Sequence, residues 1–301
     1  MIRKLVKKWT KNNGISVLIS AQNEEKIIRM CVESFLEFGD EIIIVTNGST
    51  DGTIGICKEL EKKYPQIVRH YDKPALPDLY QNRAYALSKA KYKWVMRGDA
   101  DYVAYNDEDG KRSIQSLRKR ILKTNTIFPT AFFLEQVNIY YRINMTGISK
   151  KFREKQRDGK FTGHFVPETY AGYMSRIYLN TPLLKFIRQG RTEGVRFPKL
   201  YKQIFIDQPY WFHVTLKAKK DLFYRSERTN WRELGDYNTY PYLQDYIEKN
   251  TLVYKYSTSE NEAIEQYMKD DVLPYLKEYD ESKNYPYPQR ILNEIESGYF
   301  S

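Results

Sequence analysis

The sequence predicts an α/β protein, with a mostly parallel sheet covered by helices on both faces and a helical appendage at the C-terminus. Three observations predict it. Strand and helix signals alternate over the first hundred residues. The strand signals are short continuous apolar runs, the pattern of strands covered on both faces. A chain of 301 residues, 41% hydrophobic and 29% charged, is long enough to bury the core such a sheet requires.

"ISVLIS" (15–20) is the first apolar run, and "EEKIIRMCVESFLEF" after it puts Ile27, Cys31, Phe35 and Phe38 on one helical stripe. Asn23 is placed to cap that helix, with Glu24 and Glu25 favourable in its first turn. "EIIIV" is the second strand, and a helix from Thr53 to about Lys63 keeps Ile56, Leu60 and Tyr64 in register. A short strand near "IVRHY", a helix from Leu79 to about Ala90 and a strand at "KWVMR" (93–97) follow. Connections of this kind are right-handed crossovers, so the loops after the C-terminal ends of the strands form the ligand crevice. "AFFLEQVNIYY" (131–141) reads as a longer strand of mixed character. From about Arg232 the chain is rich in Tyr, Glu and Lys and is interrupted by Pro241, Pro274, Pro286 and Pro288. "SENEAIEQYMKD" opens on a capping Ser259 and reads as a helix, and "VLPYLKEY" does so more loosely. This appendage is expected to pack on the domain, to line a binding site or to mediate homodimerisation.

The formal net charge of +11 attracts phosphates of any kind and selects among none of them. Residues 1–11, "MIRKLVKKWTK", carry five Lys/Arg beside Ile2, Leu5, Val6 and Trp9, which suits either a peripheral contact with an anionic membrane or a frayed basic terminus. No run approaches the roughly 18 apolar residues of a membrane span, and no export signal is read after Met1, so the cytoplasm is the expected compartment. Cys31 and Cys57 fall on apolar helix faces and read as small hydrophobes, not as a disulfide or a zinc site.

Two loops carry the chemistry. "TNGSTDGT" (46–53) follows the second strand, where its N–H groups and hydroxyls would face the crevice, although such turns are common in α/β proteins. "WVMRGDADYV" places Asp99 and Asp101 just beyond a buried strand, where two carboxylates can hold Mg²⁺ or Mn²⁺ against a diphosphate. Sixteen Asp in 301 residues make about one Asp-x-Asp expected by chance, so position singles this one out. Asp107-Glu108-Asp109, with no strand before it, reads as a solvated turn.

"ISVLISAQNEEKIIRMCVESF", "DEIIIVTNGSTDGT" and "NRAYALSKAKYKWVMRGDADYV" together resemble the nucleotide-sugar-binding half of family 2 glycosyltransferases. The resemblance implies a Rossmann-like GT-A fold and inverting transfer of a sugar. Carried over by position, nucleotide-sugar contacts fall on Ser20, Ala21, Gln22, Asn23 and Glu24, on Thr46 and Asn47, on Arg83, and on Asp99, Ala100 and Asp101, with Asp99 and Asp101 also on Mn²⁺ or Mg²⁺. Two departures matter. Ser20-Ala21-Gln22-Asn23 stands where the family commonly has Pro-Ala-Tyr-Asn, and Thr46 stands where it usually has Asp, which leaves the base of the donor open.

Beyond residue 125 the resemblance thins. An Arg-rich stretch (176–194) and "QIFIDQPYWFHVTLKAKKDLFYR" match the second half of some of these transferases. There Glu193 is the expected general base, with Glu168 in "HFVPETY" the next choice; a surface acid in a Gly-flanked loop is the plainer reading of Glu193. His213 is expected to ligate the metal or touch the diphosphate, with Lys217 beside it, the alternative being a hydrogen-bonded structural histidine. The implied division is 1–125 for the nucleotide-sugar half, 126–230 for the acceptor half and 231–301 for the appendage. A nucleotide-sugar donor and a glycan, lipid-linked or protein acceptor are the expected partners, and nucleic acid is not. A competing reading keeps the fold as a non-catalytic polyanion-binding protein. A nucleotidyltransferase would favour a Gly/Arg/Lys-rich phosphate loop where this chain has "SAQNEE".

Overall fold

The computed structural model describes residues 11–76, 78–106, 110–147, 174–189, 192–196, 201–235 and 238–300. The chain divides into two compact units, the first comprising Met1–Asn138, Gly163–Val214 and Asp280–Ser301, the second Ile139–Thr162 and Thr215–Tyr279.

In the first unit, β1 (Asn12–Ala21), α1 (Ile28–Ser34), β2 (Glu41–Thr46), α2 (Thr53–Lys63), β3 (Val68–Asp72), α3 (Leu79–Lys89) and β4 (Tyr92–Asp99) follow one another. β5 (Tyr102–Ala104), α4 (Ile114–Leu122) and β6 (Thr130–Tyr140) come next. β1 runs parallel to β2 and to β4, and β2 parallel to β3. After β7 (Met145–Gly147), which belongs to the second unit, β8 (Met174–Leu179) returns between β4 and β6, antiparallel to both. β9 (Lys185–Gln189) and β10 (Thr192–Arg196) form a hairpin, and β11 (Lys202–Thr215) pairs with β5 and β6.

Side chains alternate across the sheet and divide the core into two layers. Ile15, Val17, Ile19, Ile42 and Ile44 pack with Cys31, Phe35, Cys57 and Leu60 of α1 and α2 and their flanks. Leu18, Ile43, Val45 and Val95 pack with Ala86 and Ala90 at α3. This double cover is why these strands read as continuous apolar runs. α3 starts with a capping box between Asp78 and Gln81. α1 departs from expectation: it starts at Ile28 without a side-chain cap, because Asn23 sits at φ 54° with its side chain bonded to Thr50.

The second unit is mainly helical. α5 (Lys219–Leu234), α6 (Leu243–Tyr246) and α7 (Glu260–Tyr267), with the π-helical turns Ile247–Tyr256 and Met268–Val272 that continue α6 and α7, bury Leu222, Phe223, Ile247, Ala263, Ile264 and Met268 together. α7 carries the capping box expected from Ser259, closed by Glu262. β7 pairs with β12 (Leu276–Glu278). α8 (Gln289–Glu296) belongs to the first unit, where Tyr105 donates to the Pro286 carbonyl (2.5 Å) and Arg290 pairs with Glu33 (3.7 Å).

Candidate active site

The C-terminal ends of β1, β2 and β4 lie side by side, with Ser20 opposite both Val45 and Asp99 in the parallel registers. α3 runs back over this edge. By strand alternation Arg97 and Asp99 share the α3 face with Val95, and Arg83 of α3 meets them. Arg83, 1% exposed, donates through Nε to Glu193 Oε2 (2.6 Å), through Nη1 to the Gly98 carbonyl (2.6 Å) and through Nη2 to Asp99 Oδ1. Arg97 Nη2 donates to the other oxygen of Glu193. The β9–β10 hairpin thus brings Glu193 into the site, 6% exposed, with both carboxylate oxygens accepting from guanidinium groups.

The second oxygen of Asp99 accepts from the Tyr102 hydroxyl (2.7 Å) and lies 3.5 Å from Arg176 Nη1. Burial opposes ionisation of Asp99, but Arg83, Arg176 and Arg97 outweigh it and hold the carboxyl well below the usual carboxylate range. Burial also lifts the Tyr102 phenol well above its ordinary value, so it stays a donor. Tyr102 is fixed by stacking on Trp211 (5.6 Å, 17°) and by the Arg176 guanidinium over its ring (5.3 Å).

Asp101 lies on the other side of the turn. β11 pairs His213 with Tyr102, and the Val214 N–H donates to the Asp101 carbonyl (2.8 Å), which sets His213 Nε2 3.2 Å from Asp101 Oδ2. His213 Nδ1 faces Asn138 Oδ1 (3.2 Å) and Gln136 Nε2 (3.4 Å). With Nδ1–H donated to Asn138, the Nε2 lone pair faces a carboxylate, an arrangement a divalent cation between them would resolve; with Gln136 donating to Nδ1, Nε2–H donates to Asp101 instead. Asp99 accepts from Arg83 and Tyr102, while Asp101 and His213 face each other and are the groups that would hold a cation. Among the described residues no group of three or more His, Cys, Asp or Glu is disposed to hold a metal. A hard cation with few protein ligands and the rest from phosphate and water fits such a set.

The loops after β1 and β2 brace each other. The Asn23 N–H donates to Ser49 Oγ (3.2 Å), the Glu24 N–H to Thr53 Oγ1 (2.8 Å), and the Glu25 N–H to Asp51 (3.1 Å). Gln22 Nε2 donates to the Asn47 carbonyl (3.0 Å), and Asn47 Nδ2 to the Leu76 carbonyl (3.0 Å). Three of the hydroxyls expected to face a ligand therefore hold the neighbouring loop, over a Gly48 at φ +64°. Thr46 is fully buried and donates to Asp72 Oδ1 (2.9 Å), with His70 Nε2 also 2.9 Å away. A carboxylate thus stands beside Thr46 after all, contributed by β3.

Ala21 and Ala100 are both 3% exposed and pack in the core layer under α1. Lys217 belongs to the second unit. Glu168, and the Asp107-Glu108-Asp109 turn, lie outside the described residues. Sequence reasoning missed Asp72, Asn82, Arg97, Tyr102 and Arg176. Both amide atoms of Asn82 and the Ser20 hydroxyl are buried without a hydrogen-bond partner. Asn82 sits one turn before Ala86 on α3, and Ser20 two residues past Leu18 on the same face of the sheet, so both orphans lie at the site edge. Buried polar groups of this kind call for water or a ligand.

The Glycosyl transferase family 2 model matches residues 16–180. The chain is 32% identical over 96 residues to an uncharacterized glycosyltransferase, YibD, of Escherichia coli (strain K12), covering 31% of this chain and 27% of that protein. It is 39% identical over 87 residues to the uncharacterized glycosyltransferase RT0209 of Rickettsia typhi (strain ATCC VR-144 / Wilmington), covering 29% and 27%. The aligned stretches thus span about a quarter of those relatives' length. Among solved structures it is similar to Staphylococcus aureus TarS 1–349 in complex with UDP, with a TM-score of 0.42, 15% identity, and coverage of 82% of this chain and 76% of that one. It is also similar to the mannosyltransferase PcManGT from Pyrobaculum calidifontis in complex with GDP-Man and Mn²⁺, with a TM-score of 0.41, 13% identity, and coverage of 98% and 86%. Because the family match spans more than half of the 301 residues and takes in β1, β2 and Asp99-Ala100-Asp101, the chain belongs to glycosyl transferase family 2.

Proposed function

We propose that this protein transfers a sugar from a nucleotide-sugar to an acceptor hydroxyl, with inversion and with the help of Mn²⁺ or Mg²⁺, at the C-terminal edge of β1, β2 and β4. The observation that carries the reading is the pairing of Asp101 with His213 (3.2 Å) beside three arginines gathered on Asp99 and Glu193. Asp99, held ionised, is suited to accept from a ribose hydroxyl. Asp101 and His213 would hold the cation, which when bound supplies positive charge to the leaving diphosphate. Ser20, Gln22, Asn23, Glu24 and Asn47 would line the nucleoside side, with Ala21 packed in the core beneath them. Asp72, 2.9 Å from Thr46, offers the carboxylate that β2 lacks, and the orphaned Asn82 amide offers one more donor and acceptor.

Inverting transfer needs a proton acceptor for the sugar-accepting hydroxyl. Glu193 fills that role provided the donor diphosphate draws Arg83 or Arg97 away and frees one carboxylate oxygen. Glu168 is the alternative.

The test is Asp101→Asn. Mn²⁺-dependent hydrolysis of nucleotide-sugars and the metal-dependent part of nucleotide binding should both disappear while the circular dichroism of the fold is retained. Undiminished metal-dependent turnover in that variant would remove the basis of the assignment.

A further inference from the structure

We propose that the edge of the first unit's sheet opposite the candidate active site is a docking surface for an anionic lipid bilayer. The loop from α4 to β6 leaves Ile127 and Phe128 77% and 65% exposed. Two of their four backbone polar groups are provided for: the Ile127 N–H donates to Asn125 Oδ1 (3.0 Å), and the Phe128 carbonyl accepts from Thr130 Oγ1 (3.0 Å). Each polar group satisfied within the tip lowers the cost of entering a lipid interface. The Lys202 N–H donates to the Pro129 carbonyl (2.7 Å), which brings β11 alongside, and Phe205 of that strand, 42% exposed, stacks on Phe133 (4.9 Å).

The segments that form this apolar tip carry exposed charge of one sign, the acids packed on α4 being Asp40, which is paired with Arg118 (2.8 Å), and Glu37, which accepts from Gln115 (2.8 Å). Lys119 and Arg120 lie exposed in the last turn of α4, and Lys123 and Lys202 are exposed beside them. Residues 110–134 and 194–206 contain no Asp or Glu, in a chain that has 38 of them in 301 positions, where an even spread would put several here. Exposed large apolar side chains ringed by cations match the two layers of a bilayer surface, hydrocarbon within and anionic headgroups above.

The strand registers fix where this surface lies. Ala131 is level with Tyr178 and Val95 with Tyr178, so β6 begins level with the start of β4, at the end of the sheet away from Asp99. Asn12 pairs with Tyr92 at that same end. The candidate active site then faces away from the membrane, which fits an acceptor that projects from the lipid surface or diffuses in solution.

Sedimentation of the full chain with vesicles tests this. Binding is expected to vesicles of phosphatidylcholine with about 30% phosphatidylglycerol and not to phosphatidylcholine alone, and it should weaken as salt is raised. Ile127→Ser with Phe128→Ser, and separately Lys119→Glu with Lys123→Glu, should each lower the partition by about tenfold or more. Nucleotide binding should stay unchanged in both variants, because the substitutions are at the far end of the sheet. Equal binding to both vesicle types, absence of vesicle binding, or full binding in both variants overturns the proposal. Loss of binding to a single-stranded oligonucleotide in the charge-reversed variant, with vesicle binding intact, would assign the surface to nucleic acid instead.

Discussion

Replacing Glu193 by Gln separates a structural from a chemical role for the buried carboxylate. Glu193 is 6% exposed and is shared by Arg83 and Arg97, whose side chains are 1% and 16% exposed. Gln offers one carbonyl oxygen where Glu offers two, so one guanidinium keeps an acceptor and the other meets an amide N–H. Breaking a buried ion pair on one side costs about 3 to 5 kcal/mol, because the remaining charge is left uncompensated. For a domain of this size each kcal/mol moves Tm by roughly 2 to 4 °C, so a fall of about 6 to 20 °C is expected, towards the low end because one hydrogen bond survives. A general base contributes on top of this: kcat should fall by about 10² to 10⁴ at temperatures where the variant is fully folded, with donor affinity kept. The assay is a thermal melt beside single-turnover transfer with saturating donor and Mn²⁺. A lowered Tm with wild-type kcat refutes the proton-acceptor role and leaves Glu193 as a clamp on Arg83 and Arg97. Wild-type values of both refute the network itself.

Asp72→Asn tests whether β3 supplies the carboxylate that Thr46 replaces: nucleotide affinity should weaken by about 1.5 to 3 kcal/mol, the range of a charged hydrogen bond, and an unchanged calorimetric isotherm would exclude Asp72 from the nucleoside site. The His70 imidazole, about half buried, is held below its ordinary pKa chiefly by burial, which Glu61 and Asp72 only partly offset. The unfolded chain therefore binds a proton more readily than the folded one, and stability should be lost as pH falls below about 6.5. Urea midpoints at several pH values should show that loss, and His70→Asn should flatten it; an equal slope in both proteins would mean other groups dominate.

What could be read from the sequence was what lies along one segment. Continuous apolar runs gave β1, β2 and β4, the 3.6-residue stripe gave α2, and the place of Asp99-Ala100-Asp101 at a strand end followed from the alternation of the two. What could not be read depends on register between segments. Nothing in the sequence says that β8 inserts between β4 and β6, and that insertion brings Arg176 to Asp99. The approach of Asp72 to Thr46 likewise follows from the β2–β3 pairing, and the Ser49, Thr50 and Thr53 hydroxyls looked free because the neighbouring loop that uses them lies more than twenty residues away.

Register also explains how charge is divided in the site. β4 alternation sends Arg97 and Asp99 to the α3 face, where Arg83, Arg97 and Arg176 face Asp99 and Glu193, three cations against two anions. Asp101, beyond the turn, instead meets His213 of β11. Among the described residues the first group gathers three guanidinium groups on two carboxylates, and the second sets a carboxylate against an imidazole. On the proposed reading, a diphosphate arriving with a divalent cation would engage both, the phosphate oxygens meeting the guanidinium groups and Asp101 and His213 holding the cation. A bare polyanion would satisfy only the first. Metal-dependent and metal-independent nucleotide affinity should therefore separate cleanly, with Asp101→Asn abolishing the former and leaving the latter.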